Sequence, residues 1–312
     1  MSSRPTVLMN TNLPLPLFMR GKVRDVYDLG DKLLIVSTDR ISAFDVVLPC
    51  GIPDKGKVLT ELSAFWFDKT AHMLPNHVVK VIDSSDSLAV VLNQAKNLSC
   101  PPAQLPDSLI GRSMLVAKAE RIPVECVVRG YLSGSAWADY KESGKAGHIP
   151  LPSGMKESQE LPHPIFTPTT KSDTGHDRPL SDRDVEELGV RDVFGELEEK
   201  SLLIYSYARD YARDRGIIVA DTKFEFGFIH GRLALIDELL TPDSSRFWDA
   251  SQYRVGRSQP SFDKQSVRDW LLNSGWDRQS PAPVLPPDVI EATSKRYREV
   301  YGRLTGDAPG PT

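Results

Sequence analysis

Short apolar runs rich in β-branched residues, separated by Gly or Asp turns, fill the first third of the chain. Gly21-Lys-Val-Arg-Asp-Val-Tyr27, Lys32-Leu-Leu-Ile-Val-Ser37 and Ser113-Met-Leu-Val-Ala-Lys118 read as strands, and Val58 to Leu74 as a helix. The pattern changes after Glu120. Ile122-Pro-Val-Glu-Cys-Val-Val-Arg129 is one more strand, and Ser135 to Glu142 a short helix ended near Gly144. From Ile149 to Pro179, Pro, Ser, Thr, Asp and Gly dominate, which predicts a loop of a length usually kept for function or disorder. Ser181-Asp-Arg-Asp184 resembles a capping box, and Glu196 to Arg215 is an amphipathic helix closed by Gly216. The tail predicts helices over Lys264 to Asn273 and Asp288 to Leu304, joined by the stiff Pro281-Ala-Pro-Val-Leu-Pro-Pro287.

The stretch densest in chemistry is Ile217-Ile-Val-Ala-Asp-Thr-Lys-Phe-Glu-Phe-Gly227. An apolar run delivers Asp221, Lys223 and Glu225 at alternate positions, so a strand projects all three from one face. The run Arg232-Leu-Ala-Leu-Ile-Asp-Glu follows, and Ile229-His-Gly231 reads as a three-residue hairpin loop with Gly at the left-handed position. Counting outward pairs Phe228 with Arg232 and Lys223 with Asp237, which brings Asp237 to the face of Asp221 and Glu225. Three carboxylates so placed repel one another unless something positive fills the group, and a Mg2+ carrying nucleotide phosphates takes such ligands. The alternative is a solvated strand face with surface ion pairs. Apolar sequence flanking both strands favours the cleft.

Three segments compete for phosphate. Gly51-Ile-Pro-Asp-Lys-Gly-Lys-Val58 nearly matches the Walker A spacing. Val58 stands where a Mg2+-binding hydroxyl is needed, and Pro53 and Asp54 remove a donor and add repulsion, so the near-match reads as coincidental. Arg20-Gly-Lys-Val-Arg-Asp-Val-Tyr27 is a glycine turn between strands, with Lys22 and Arg24 on one face as suits a lid over triphosphate. Such turns also occur without ligand. Arg129 at a strand end, followed by Gly130, Ser133, Gly134 and Ser135 opening a helix, offers a guanidinium, hydroxyls and free amides to a phosphate. A bound phosphate is the favoured reading of this segment, although Arg129 in isolation is more often a structural ion pair and Glu125 the partner of a neighbour.

With 312 residues the chain exceeds one ordinary core and predicts two lobes. Lys plus Arg total 38 against 42 for Asp plus Glu, and the net charge of -4 argues against nucleic acid or an anionic membrane as partner. Cys50, Cys100 and Cys126 are odd in number and widely spaced, which fits neither a disulfide framework nor a zinc site and points to a reducing cytosol. No run reaches the apolar length of a membrane span, and the N-terminus lacks the features of an export signal.

Taken together, Gly21-Lys-Val-Arg-Asp-Val-Tyr27, Ser37-Thr-Asp-Arg-Ile-Ser-Ala-Phe-Asp45, the Ile122 to Ser135 segment, Ala220 to Gly227 and Asp237-Glu-Leu-Leu-Thr-Pro-Asp-Ser-Ser-Arg246 resemble the SAICAR synthetase family in its long, single-function form. The resemblance runs from about Arg20 to Arg257 and into the tail. It implies an α+β fold with kinase-like lobes: an antiparallel nucleotide-binding lobe at 1–118, and a larger α/β substrate- and metal-binding lobe at 119–312 that includes a helical extension at 262–304. Nucleotide would sit between the lobes. It also implies a cytoplasmic monomer that joins ATP, L-aspartate and CAIR, a 5-aminoimidazole ribotide carboxylate, to give SAICAR, ADP and phosphate through an acyl phosphate. Residue by residue, the resemblance assigns ATP to Gly21, Lys22, Val23, Arg24, Lys118, Ala119, Glu120, Lys223 and Asp237, and Mg2+ to Glu225 and Asp237. Asp221, Lys223, Glu225 and Asp237 form the catalytic group; Arg129, Ser135, Lys171, Asp177 and Arg246 match substrate positions, Lys171 by spacing in the long-form loop. A kinase is the rival from another class, but the chain has no His-Arg-Asp catalytic loop and no Asp-Phe-Gly motif. A nucleotide-sensing module without catalysis predicts loss of the acids or cations that are all present here.

Overall fold

In the first third of the chain, successive side chains alternate between two apolar layers, and the strands they form make one antiparallel sheet. The computed structural model describes residues 7–96, 98, 104–170 and 178–307. Its elements begin with β1 (Leu17–Arg20), β2 (Arg24–Asp28), β3 (Lys32–Ser37), β4 (Arg40–Ala43), β5 (Val46–Gly51), α1 (Lys55–Thr70), β6 (Val78–Ile82), α2 (Ser85–Ala95) and β7 (Ser113–Ala117). The sheet order is β1-β2-β3-β7-β6, with β4 and β5 forming a separate hairpin. Leu34, Val36 and Leu115 pack with Leu88 and Val91 of α2 on one side. Ile35, Met114 and Val116 fill the other. This is the period-two pattern of a sheet covered on both faces.

The second series is β8 (Glu120–Arg121), β9 (Val124–Tyr131), α3 (Gly134–Ser143), β10 (Lys145–Ala146), β11 (Ile149–Pro150), β12 (Glu160–Phe166), β13 (Thr169–Thr170), α4 (Asp182–Glu187), α5 (Arg191–Arg213), β14 (Ile217–Ile229), β15 (Arg232–Ile236) and β16 (Ser245–Asp249). Here β14 is the spine. Its first half pairs with β9 and β16, its second with β8 and β15. Helix α5 packs across β14 and β9, burying Leu197, Ser201, Ile204, Tyr205, Ala208 and Ala212 at helical spacing. Gly130 on β9 is required by that packing: a Cβ there would lie 1.9 Å from Tyr205 Oη, whose hydroxyl donates to the Val219 carbonyl at 2.7 Å. The sequence reading placed Gly130 with the phosphate-binding turn; its role is this close approach of helix to sheet.

Two expectations change. The stretch from Ile149 to Pro179 contains β12 and β13, so it is not a plain loop. Pro162 and Pro164 cannot donate to a ladder on both sides, and β12 accordingly lies at the sheet edge with an irregular register to β9. The tail also lands elsewhere than expected. The chain divides into one unit of Met1–Asp68, His77–Lys118 and Phe262–Thr312 and another of Lys69–Asn76 and Ala119–Ser261, so the helical extension belongs with the first lobe. Helices α6 (Gln265–Asn273) and α7 (Pro287–Thr305) follow β16. Val267, Leu271, Ala282 and Leu285 bury with Ile41, Ala43, Leu48 and Ile52 of the β4–β5 region, so the tail covers an apolar face there. Among the described residues no helix is long and apolar enough to cross a membrane.

Candidate functional site

Asp221 on β14 stands opposite Arg129 on β9 and opposite Arg246 on β16, so one carboxylate lies in register between two guanidiniums. Arg246 Nη1 donates to Asp221 Oδ2 at 2.5 Å and to Ser133 Oγ at 2.8 Å, while Arg129 Nη1 approaches the same Asp221 oxygen at 3.5 Å. Arg129 also donates from Nε to Thr167 Oγ1 at 2.9 Å and from Nη2 to Ser135 Oγ at 3.2 Å. Burial lowers the Arg129 pKa, Asp221 opposes that shift and Arg246 adds to it. The row keeps a net positive charge beside the first turn of α3. Ser133 is the N-cap of that helix and its side chain makes no capping bond, which leaves the first-turn amides for another acceptor. Gly134, at φ 58°, has no Cβ because one would sit 2.7 Å from Arg246 Nη2.

Two positions along the same strand face, about 7 Å by strand geometry, the sign reverses. Lys223 Nζ donates to Glu125 Oε1 at 2.6 Å and lies 3.7 Å from Glu225 Oε1. Burial favours the neutral amine, but Glu125, Glu225 and Asp237 outweigh it and hold the Lys223 pKa above the ordinary lysine range. The predicted group of three acids around one lysine therefore has a different membership. Asp221 belongs to the arginines, and Glu125, read earlier as a mere ion-pair partner, is the nearest acid to Lys223. Its alternation with Arg129 on β9 was the available signal.

The hairpin register differs by one residue from the expectation. Ile229 pairs with Arg232 and Glu225 with Ile236, so the turn is His230-Gly231 alone, at φ 50° and 74°. This is the twist-matched two-residue turn, and simple alternation would send Asp237 to the opposite face. Alternation ends there, because β15 stops at Ile236 and Asp237 leaves it at φ 70°. With β16 starting only at Ser245, the 237–244 segment departs from the sheet beside Thr222 to Glu225, and the Asp237 charge acts on Lys223.

In the first unit, Gly21 donates to the Arg24 carbonyl at 2.8 Å, closing a turn that carries Lys22 and Val23 between β1 and β2. Lys22 Nζ meets Asp45 Oδ1 at 2.5 Å, both exposed. Lys118 follows β7, donates to Asp28 at 2.8 Å and lies over the Phe18 ring at 5.7 Å. Ala119 and Glu120 follow in the second unit, where Gly227 admits them: a Cβ there would meet the Glu120 carbonyl at 2.9 Å. The Walker-like segment is closed to phosphate. Lys55 is fully buried, and the Gly56 amide at the start of α1 already donates to Asp39 Oδ1 at 2.9 Å. Lys171 and Asp177 lie outside the described residues.

Among the described residues no cluster of three or more His, Cys, Asp or Glu side chains is arranged to hold a metal by itself. Glu225 and Asp237 still fit Mg2+, which binds through one or two carboxylates and completes its octahedron with water and substrate phosphates. Both acids act on Lys223, so they lie within one electrostatic neighbourhood.

The family model described as SAICAR synthetase matches residues 17–283. A phosphoribosylaminoimidazole-succinocarboxamide synthase of Thermodesulfovibrio yellowstonii is 51% identical over 96% of this chain and 99% of its own, and one of Syntrophobacter fumaroxidans is 52% identical over 98% of each. A solved SAICAR synthase from Saccharomyces cerevisiae, complexed with SAICAR, matches at 42% identity and a TM-score of 0.83, covering 96% of this chain and 99% of that one. A SAICAR synthetase in complex with ADP matches at 26% identity and a TM-score of 0.66, covering 94% and 99%. With most of its length matched by the family model and about half its residues shared with full-length relatives, the chain belongs to the SAICAR synthetase family.

Proposed function

We propose that this chain joins the carboxylate of CAIR to the amine of L-aspartate at the expense of ATP, releasing SAICAR, ADP and phosphate. The observation that carries the reading is the juxtaposition on β14 of an arginine row at Asp221 with an acidic group at Lys223. A ribotide has a phosphate at one end and a reacting carboxylate at the other, and two oppositely charged subsites on one strand face suit such a molecule.

Arg129, Arg246, Ser135 and the α3 amides hold the ribotide phosphate in this reading. Lys223 faces the phosphoryl group as it moves from ATP to the CAIR carboxylate, and its partners Glu125, Glu225 and Asp237 keep it protonated throughout the neutral range. The aspartate amine then displaces phosphate from the acyl phosphate. Phosphoryl transfer of this kind needs alignment and charge neutralisation more than an enzyme nucleophile. Mg2+, held by Glu225 and Asp237, would neutralise phosphate charge. Gly21, Lys22, Val23, Arg24 and the Lys118, Ala119 and Glu120 connector bind ATP, and Lys171 and Asp177 serve CAIR or aspartate. The free thiols of Cys50 and Cys126 accord with a cytoplasmic setting.

The test is direct. Purified protein with ATP, Mg2+, CAIR and L-aspartate should form SAICAR, followed by its absorbance, and omission of any of the four should abolish it. A stable phosphorylated CAIR whose formation ignores aspartate would favour a kinase.

A further inference from the structure

The Ser37 to Asp45 segment carries much of the family resemblance, yet nothing above gives its last two residues a role. They form the β4–β5 turn: Ala43 pairs with Val46, leaving Phe44 and Asp45 as a two-residue connection at φ 50° and 64°. That conformation suits Asn-Gly, and a bulky aromatic there is an outlier that points toward function. The turn is braced from outside. Phe44 packs against Trp276, ring centroids 6.4 Å apart, and the Arg278 guanidinium lies 4.8 Å from the Phe44 ring centre. Trp276 is itself fixed by an indole bond to the Gln279 carbonyl at 2.6 Å. What the braced turn presents is Asp45, bonded to Lys22 in the Gly21 to Val23 turn.

We propose that Asp45 is a positioning residue for ATP binding: it holds the Lys22 ammonium at the nucleotide phosphates, and the tail's Trp276 and Arg278, packed on Phe44, brace the turn that carries Asp45. This rests on the reading of Lys22 as a phosphate ligand. An ammonium has three donors, so one bond to Asp45 leaves two for phosphate oxygens, and a lysine already oriented loses less side-chain entropy when ATP arrives. A loose surface ion pair does not require a strained turn with aromatic support; an aimed one does.

The experiment is a double-mutant cycle on the full chain, reading the Kd for ATP by titration calorimetry. Asp45→Asn keeps a residue that tolerates positive φ, so the turn survives while the charge goes. Exposed pairs are worth up to about 1 kcal/mol, so Asp45→Asn should weaken ATP by roughly two- to fivefold, with CAIR affinity unchanged. In a Lys22→Met background the same substitution should have no further effect. Equal weakening by Asp45→Asn in both backgrounds, or none in either, would overturn the proposal while leaving Lys22 as a ligand. An ATP affinity indifferent to Lys22→Met alone would instead remove the reading on which it rests.

Discussion

Asp221 and Lys223 are two residues apart on one strand face, yet one sits among arginines and the other among acids. The difference comes from their neighbours. Beside Asp221, β16 supplies Arg246; beside Glu225, β15 is ending and the 237–244 segment leaves the sheet with Asp237. Strand alternation fixes which face a side chain uses, whereas the partner strand decides what charge it meets. A site for a molecule with chemically different ends can thus be built on one strand whose neighbours change along its length.

The sharpest test of that contrast is at the acidic end. Asp237→Asn should lower kcat by about 100-fold or more, because in the proposed reading it removes a carboxylate that would hold the Mg2+ neutralising the transferring phosphate. The melting temperature should stay near that of the unaltered protein, since Asp237 lies outside the strand ladder. Near-normal turnover at limiting Mg2+ would take Asp237 out of the site.

The opposite face of the same sheet offers the control. Gly130→Ala forces a methyl into Tyr205, so unfolding stability should fall by about 1–3 kcal/mol, seen in denaturant titration. Tyr205→Phe removes the nearest atom, so in that background Gly130→Ala should cost less than it does alone. Additive losses would mean the strain is relieved by backbone movement instead.

How far the sequence carried these conclusions can be read at individual residues. Alternation alone brought Asp221, Lys223 and Glu225 to one face, and Ser181 with Asp184 forms the capping box expected at α4. Alternation could not show that Arg129 and Arg246 flank Asp221, because that requires the pairing of strands far apart in the chain. The hairpin was misregistered by one residue because His230 accepts a left-handed backbone that Gly alone was expected to supply. The edge strand β12 was hidden by its prolines, and the tail's docking on the first unit by the absence of any sequence signal for which apolar face its helices cover.

At the arginine end, Arg246→Lys keeps a charge but loses the fork that meets both Ser133 and Asp221. The Michaelis constant for CAIR should rise by about tenfold, with that for ATP little changed. Equal weakening of both substrates would assign the guanidinium to the nucleotide and erase the distinction between the two ends.

The smallest change tests Glu125, the acid that the pattern of β14 could not reveal. Glu125→Gln removes the closest partner of Lys223, so burial counts for more and the lysine pKa should fall. Because Lys223 titrates above its unfolded value of about 10.4, its stabilising contribution is present across the neutral range and is lost only as pH rises through the folded value. The variant should therefore lose both stability and turnover at a lower pH on the alkaline side, while its rate near pH 7 falls by only about threefold. A pH-rate profile and melting curves taken from neutral into alkaline buffer measure both. If the alkaline limb does not move, Glu225 and Asp237 alone set the charge of Lys223, and the acidic end is built by β14 and the 237–244 segment without help from β9.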